Sequence, residues 1–180
     1  MAGKAEKKTW DEEMKNLFKD FDQGGFHTAA DPDPRLFRFW DIHQRFFSLM
    51  GDDKLVASPN DSNSTEQFIS VLPNNALDVR KQAIFMGIHP KTVMNCVQPE
   101  GGQVQLQLIS GNIMQLYKNR EELLSFTFYS KTDGSPDTCS FESAQFPGWF
   151  LSSSVESNKP LGLSQKGGPE NILFHFQRIN

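Results

Sequence analysis

Residues Phe141 to Leu151 read FESAQFPGWFL, two short apolar-rich runs set around a Pro147–Gly148 corner. Pro147 fixes φ at the first corner position and Gly148 supplies the positive φ of a type II turn, so Trp149 and Phe150 resume extended geometry. Two runs joined this tightly must pair. Alternation places Phe141 and Ser143 on one face and Glu142 on the other; beyond the corner, Trp149 and Leu151 share the face opposite Phe150. Rings at this density predict a core hairpin, with Trp149 among the packed side chains.

The rest of the chain repeats the pattern of short runs and corners. Its 180 residues suit one domain with a core of its own. Sixteen Phe and three Trp supply the bulk, and the 13 Gly and 10 Pro fall between short apolar runs. This favours many strands joined by turns over a helical bundle. Residues 1–34 stand apart, with 5 basic and 8 acidic side chains against 13 and 14 in the remainder. Within them Trp10, Met14, Leu17, Phe18 and Phe21 fall at helical spacing, which predicts an amphipathic helix over Asp11–Asp20. The Pro-punctuated HTAADPDP that follows reads as a linker. Residues 1–34 are therefore expected to be an extension or pro-segment, disordered apart from that helix, and residues 35–180 the folded domain.

From Arg35 onward twelve extended segments centre on Phe37, Phe46, Val56, Ile69, Phe85, Met94, Gln105, Thr127, Phe141, Phe150, Leu161 and Phe174. Aromatic-rich phrases around Phe39, Phe85 and Phe128 recur at separations of 46 and 43 residues. Three units of four strands suit a β-trefoil; a propeller typically needs about four to eight blades. The fold class expected is all-β, a β-trefoil of twelve strands in three four-stranded units. Asn112–Tyr117 is the only helical phrase in the domain and predicts a single turn.

Several function classes are excluded by what the chain carries. The four His lie on separate segments beside no nucleophile or zincin pattern, and no glycine-rich phosphate loop opens a helix. An enzyme is not expected, nor a cofactor or a metal. No basic stripe interleaves with aromatics, which argues against nucleic acid. No run is long enough for membrane insertion, and the N-terminus has charge without a following apolar region, so the chain is expected to be made in the cytosol without a signal peptide. Cys96 and Cys139 have no metal spacing and are expected to be free thiols. A sugar-binding trefoil is the alternative from another class, but Trp10, Trp40 and Trp149 do not repeat with the trefoil period and no Gln precedes them at lectin spacing.

FESAQFPGWFL also resembles the C-terminal signature of the interleukin-1 cytokine family. In the order that family uses come FRFWDIHQ (Phe37–Gln44), LVAS (Leu55–Ser58), SVLPNNALD (Ser70–Asp78), FMGIH (Phe85–His89), NIMQLY and SFTFY (Ser125–Tyr129). They are most similar to the receptor-antagonist members, those of the interleukin-1 and interleukin-36 receptors. The resemblance implies a monomeric ligand, exported by an unconventional route, that binds the ectodomain of an immunoglobulin-domain receptor of the interleukin-1 type.

It also implies roles for residues. Trp40 and Gln44 match an F-R-x-W-D-x-x-Q element that touches the primary receptor chain, and His175 stands where antagonists carry a contacting Tyr. Recruitment of a second receptor chain is implied to depend on the loop Pro73–Ala83, with Asn75 and Asp78, and on the position of Leu173, where many agonists carry an Asp. Lys166-Gly167-Gly168 is by contrast an agonist-like phrase, so antagonist is the expectation and agonist the alternative. Members are trimmed about nine residues before an apolar-x-Asp element, which points here to Ala30, beside Asp31.

Overall fold

Six strands close into a ring. In the computed structural model, which describes residues 8–21, 33–51, 54–59, 66–88, 90–132 and 135–180, they are β1 (Arg35–Asp41), β4 (Ile69–Pro73), β5 (Ala83–Ile88), β8 (Thr127–Lys131), β9 (Thr138–Ser143) and β13 (Phe174–Arg178). Each pairs antiparallel with the next, and β13 returns to β1 with Phe37 opposite Arg178 and Asp41 opposite Phe174. Three hairpins stand off this barrel: β2 (Arg45–Met50) with β3 (Lys54–Pro59), β6 (Thr92–Val97) with β7 (Gln105–Ser110), and β10 (Trp149–Ser152) with β12 (Gly162–Gln165). A six-stranded barrel with three hairpins is the β-trefoil expected from the sequence.

All twelve expected segments are strands, and the eleventh is split. Lys159–Pro160, here β11, pairs with β3, whereas β12 pairs with β10. Leu161 is the switch between the two partners, its N–H donating to the Leu55 carbonyl at 2.7 Å while its side chain enters the core. The helix near Asn112 is longer than the single turn expected: Asn112 caps α2 (Ile113–Asn119), accepting from the Met114 N–H.

Alternation delivers the core. Along β1 the burial pattern alternates strictly, with Phe37, Phe39 and Asp41 inward. They meet Phe47, Phe85, Phe128, Phe141, Phe174 and Phe176, all essentially inaccessible to water. The Pro147–Gly148 corner forms as read: Gly148 has φ +91° and the Trp149 N–H reaches the Phe146 carbonyl. Trp149 departs from expectation. It is half-buried at the core's edge, while Phe150 and Leu151 are both buried. Strand β10 pairs with β12 along one edge and with β9 along the other, and Trp149, its first residue, lies at the rim.

The predicted N-terminal helix is α1 (Trp10–Asp20). Thr9 and Glu12 form a reciprocal capping box, and Asp11, Glu12 and Glu13 face the positive end of the helix dipole. Its apolar side joins the barrel's own hydrophobic cluster. The Trp10 ring lies 5.0 Å from Phe37, 5.1 Å from Phe176, 5.6 Å from Phe141 and 5.9 Å from Phe39. Met14 and Leu17 are fully buried behind it, and Phe21 is nearly so. Each such side chain stabilises by roughly 1.5–3 kcal/mol relative to exposure, which a lone helix of this length cannot supply for itself.

The helix closes one end of the barrel. Its polar partners are Arg35, at the start of β1; Arg178, at the end of β13; Asn75 and Gln82, between β4 and β5; and Thr132, after β8. In the antiparallel ring these positions share a single rim. The trimming positions Ala30 and Asp31 lie outside the described residues, as do His27 and His89.

Candidate functional site

Trp40 points away from the core between Phe37 and Phe39's inward rings and Asp41, as the alternation of β1 requires. Strand register places His175 of β13 directly opposite it on one side and Phe46 of β2 on the other. Three rings therefore lie in line across the outer surface. His175 stacks on Trp40 with centroids 5.7 Å apart and planes 16° from parallel, and Phe46 lies at 5.4 Å and 33°. Arg38 borders the strip, with its guanidinium carbon 5.2 Å from the Phe46 ring centre. It is held there by two bonds to the Glu66 carboxylate, at 2.5 and 2.8 Å, which raise its pKa further.

Gln44 sits at the end of this strip on the β1–β2 turn. It adopts φ +61°, a left-handed geometry unusual for a residue with a side chain, and its N–H donates to the Asp41 carbonyl. The turn keeps that shape because Asp41 is fully buried beneath it. One carboxylate oxygen accepts from the His43 and Arg45 N–H groups at 2.9 and 3.1 Å; the other accepts from Arg45 Nε at 2.9 Å and Ser153 Oγ at 2.8 Å. Arg45 reaches on to the Ser154 carbonyl, tying the turn to the loop after β10. Burial pushes the Asp41 carboxyl up, but the bonds from Arg45, Ser153 and the two N–H groups outweigh it and hold the group below its ordinary value.

The remaining expected residues do not join this strip as a group. Asn75 donates to the Phe21 carbonyl at 2.9 Å, and Asp78 caps the short turn Val79–Lys81. Paired with Arg80, the Asp78 carboxyl is lowered to about 2. Both lie at the helix-closed end of the barrel. Leu173 is half-buried immediately before β13, at the Asp41 end. Strand direction thus puts the two implied recruitment positions at opposite ends of the barrel. Among the described residues no three His, Cys, Asp or Glu side chains gather as a metal site. Cys96 and Cys139 are buried thiols, and burial raises the Cys96 thiol to about 11.

Reading the sequence misses Phe46 as part of this surface and Asp41 and Arg45 as the buried pair beneath it. A signal existed for the charged pair: Asp41 continues the inward series of Phe37 and Phe39, and a buried carboxylate demands a cation nearby. Arg45 is the first that follows it in the chain.

A sequence profile described as Interleukin-1 / 18 matches residues 57–179. The interleukin-1 receptor antagonist protein of Sus scrofa is 39% identical over 149 residues, covering 80% of this chain and 79% of the relative. The chain belongs to the interleukin-1 family. Interleukin-1 family member 10 of Mus musculus is 32% identical over 148 residues, covering 81% of this chain and 95% of the relative. The crystal structure of chicken cytokine interleukin 1 beta superposes with a TM-score of 0.67 at 27% identity, covering 81% of this chain and 97% of that one. As an interleukin-1 family member the protein is a β-trefoil cytokine and not an enzyme. The profile match takes in Asn75, Asp78, Leu173 and His175, and it begins after the segment that carries Trp40 and Gln44.

Proposed function

We propose that this protein is an extracellular ligand of an immunoglobulin-domain receptor of the interleukin-1 type, binding through Trp40, Gln44 and His175 as a monomer and acting as a receptor antagonist. The observation that carries the assignment is the stacked strip of Trp40, His175 and Phe46, half-exposed on a rigid barrel wall beside the Asp41-held turn. Large rings on a preorganised surface contribute most of the energy at protein interfaces, because little entropy is lost when they bind. Antagonism is supported by the names of the relatives and by Leu173. An apolar side chain there cannot form the charge-assisted contact available to an Asp. Trimming near Ala30 and Asp31 remains part of this proposal.

Purified interleukin-1-type receptor ectodomains, tested by surface binding alongside a cell reporter, decide the matter. Binding to one ectodomain, no reporter activation at saturation and competitive suppression of the matching agonist are expected. Trp40→Ala is expected to lose about 2–4 kcal/mol of affinity with the thermal midpoint nearly unchanged. Activation of the reporter by the protein alone overturns antagonism and favours the agonist reading raised by the Lys166-Gly167-Gly168 phrase.

A further inference from the structure

Helix α1 touches the trefoil through a surface that differs from the receptor-facing strip. At one end, Phe37, Phe39, Phe141 and Phe176 surround a pocket filled by the Trp10 indole. At the other, Asn75 Nδ2 and the Tyr117 hydroxyl donate to the Phe21 carbonyl at 2.9 and 3.2 Å. A helix leaves its last carbonyls without internal partners, and the barrel supplies two donors for this one. Between the ends Met14 and Leu17 lie buried in a row, and Arg35 pairs with Asp20 at 2.8 Å on the rim. The barrel end thus has what an amphipathic-helix groove needs: anchor pockets at helical spacing and polar latches that set direction.

Every one of these contacts is made by residues 8–21 themselves. A cut between residues 22 and 32 removes none of them.

We infer that the open end of the barrel is a docking groove for an amphipathic helix, that its occupant is residues 8–21 of this chain, and that this segment stays bound as a separate chain after the connection to β1 is cut. Its release would leave four Phe rings around an opening the size of an indole, facing water. The seam is nonetheless weaker than the barrel walls. Trp10 Nε1 and Arg35 Nη1 are buried along it without a hydrogen-bond partner among the described residues, and unmet polar atoms cost stability. It is therefore the part of the fold that opens first and exchanges its occupant. Trimming then yields a two-chain ligand whose small chain still holds Asn75. The inference stands whether or not the receptor assignment does.

The test places a recognition sequence for a specific protease within residues 22–32 of the full chain, folds the intact protein and then cuts it. Size-exclusion chromatography with native mass spectrometry is expected to show both pieces in one 1:1 species. A labelled synthetic peptide of residues 8–21, added in excess, is expected to exchange into the cut protein. The same peptide with Trp10→Ala is expected to compete at least about tenfold less well, about 1.4 kcal/mol. Separate elution of the segment from the barrel, with the barrel soluble or precipitated, overturns the inference. So does a Trp10→Ala peptide that competes as well as the original, because the ring pocket would then not be reading the indole.

Discussion

Asp41 shows how one buried charge can shape an exposed surface. Its carboxylate accepts four hydrogen bonds while fully excluded from water, and it is the only anion against the buried Arg45 guanidinium among the ion pairs of the described residues. Asp41→Asn keeps the shape but leaves that guanidinium without its counter-ion, an expected cost of about 3–5 kcal/mol. The pH dependence has a definite sign. A carboxyl held below its ordinary value contributes stability that is fully present above about pH 4 and is lost as pH falls through the lower folded-state value. Urea midpoints of the wild type are therefore expected to fall more steeply below about pH 4 than those of Asp41→Asn. Equal acid limbs would show that another carboxylate dominates. At the same scale, Phe141→Ala is expected to cost about 3–5 kcal/mol and Trp149→Ala distinctly less, because Phe141 is enclosed and Trp149 lies at the rim. Denaturation of the two variants side by side checks the order.

Among the elements, α1 is the one whose local form could be read from sequence and whose destination could not. The Trp10, Met14, Leu17 and Phe21 spacing predicts an amphipathic helix, and the Thr9–Glu12 box fixes its start. Nothing in that spacing says which surface the apolar side covers. Strand patterns have the same limit elsewhere: period-two alternation in FRFWDIHQ is enough to separate Trp40 from Phe37 and Phe39, but the stack with His175 needs the pairing of β1 with β13, set by long-range register. Leu161 could be read as a strand centre, though not as the place where one segment serves two partners. Helix docking gives two graded expectations. Thr9→Ala removes a cap and is expected to cost about 0.5–2 kcal/mol. Trp10→Ala is expected to cost about 3–5 kcal/mol and to speed amide exchange in the Asn75–Gln82 loop, which the helix end secures. Unchanged exchange in that loop would place its order in the trefoil alone.

For the whole molecule, the order of strands around the barrel differs from their order in the chain. β13 stands between β1 and β9, and its side chains Phe174 and Phe176 are in the centre of the core. The two thiols give a direct probe of how cooperatively this structure opens. Both are buried, and the Cys96 thiol is raised to about 11, so neither is expected to react with a maleimide reagent until the core opens. Labelling rates that rise in step with global unfolding would confirm one cooperative unit.

The place of β13 also has a consequence on the ribosome. The strand that closes the ring is the last of the barrel strands to be synthesised, and Asn180 follows it to stitch the seam, accepting from the Leu36 N–H and donating to the Pro34 carbonyl. While β13 is still inside the exit tunnel, β1 and β9 each lack a neighbour and the ring of Phe side chains has no lid. The nascent chain must therefore emerge with its most aromatic interior open to water, and closure waits until β13 is free to pair. A chain cut short before β13 would have every other barrel strand and no closed ring, which makes it a natural client for chaperones and quality control.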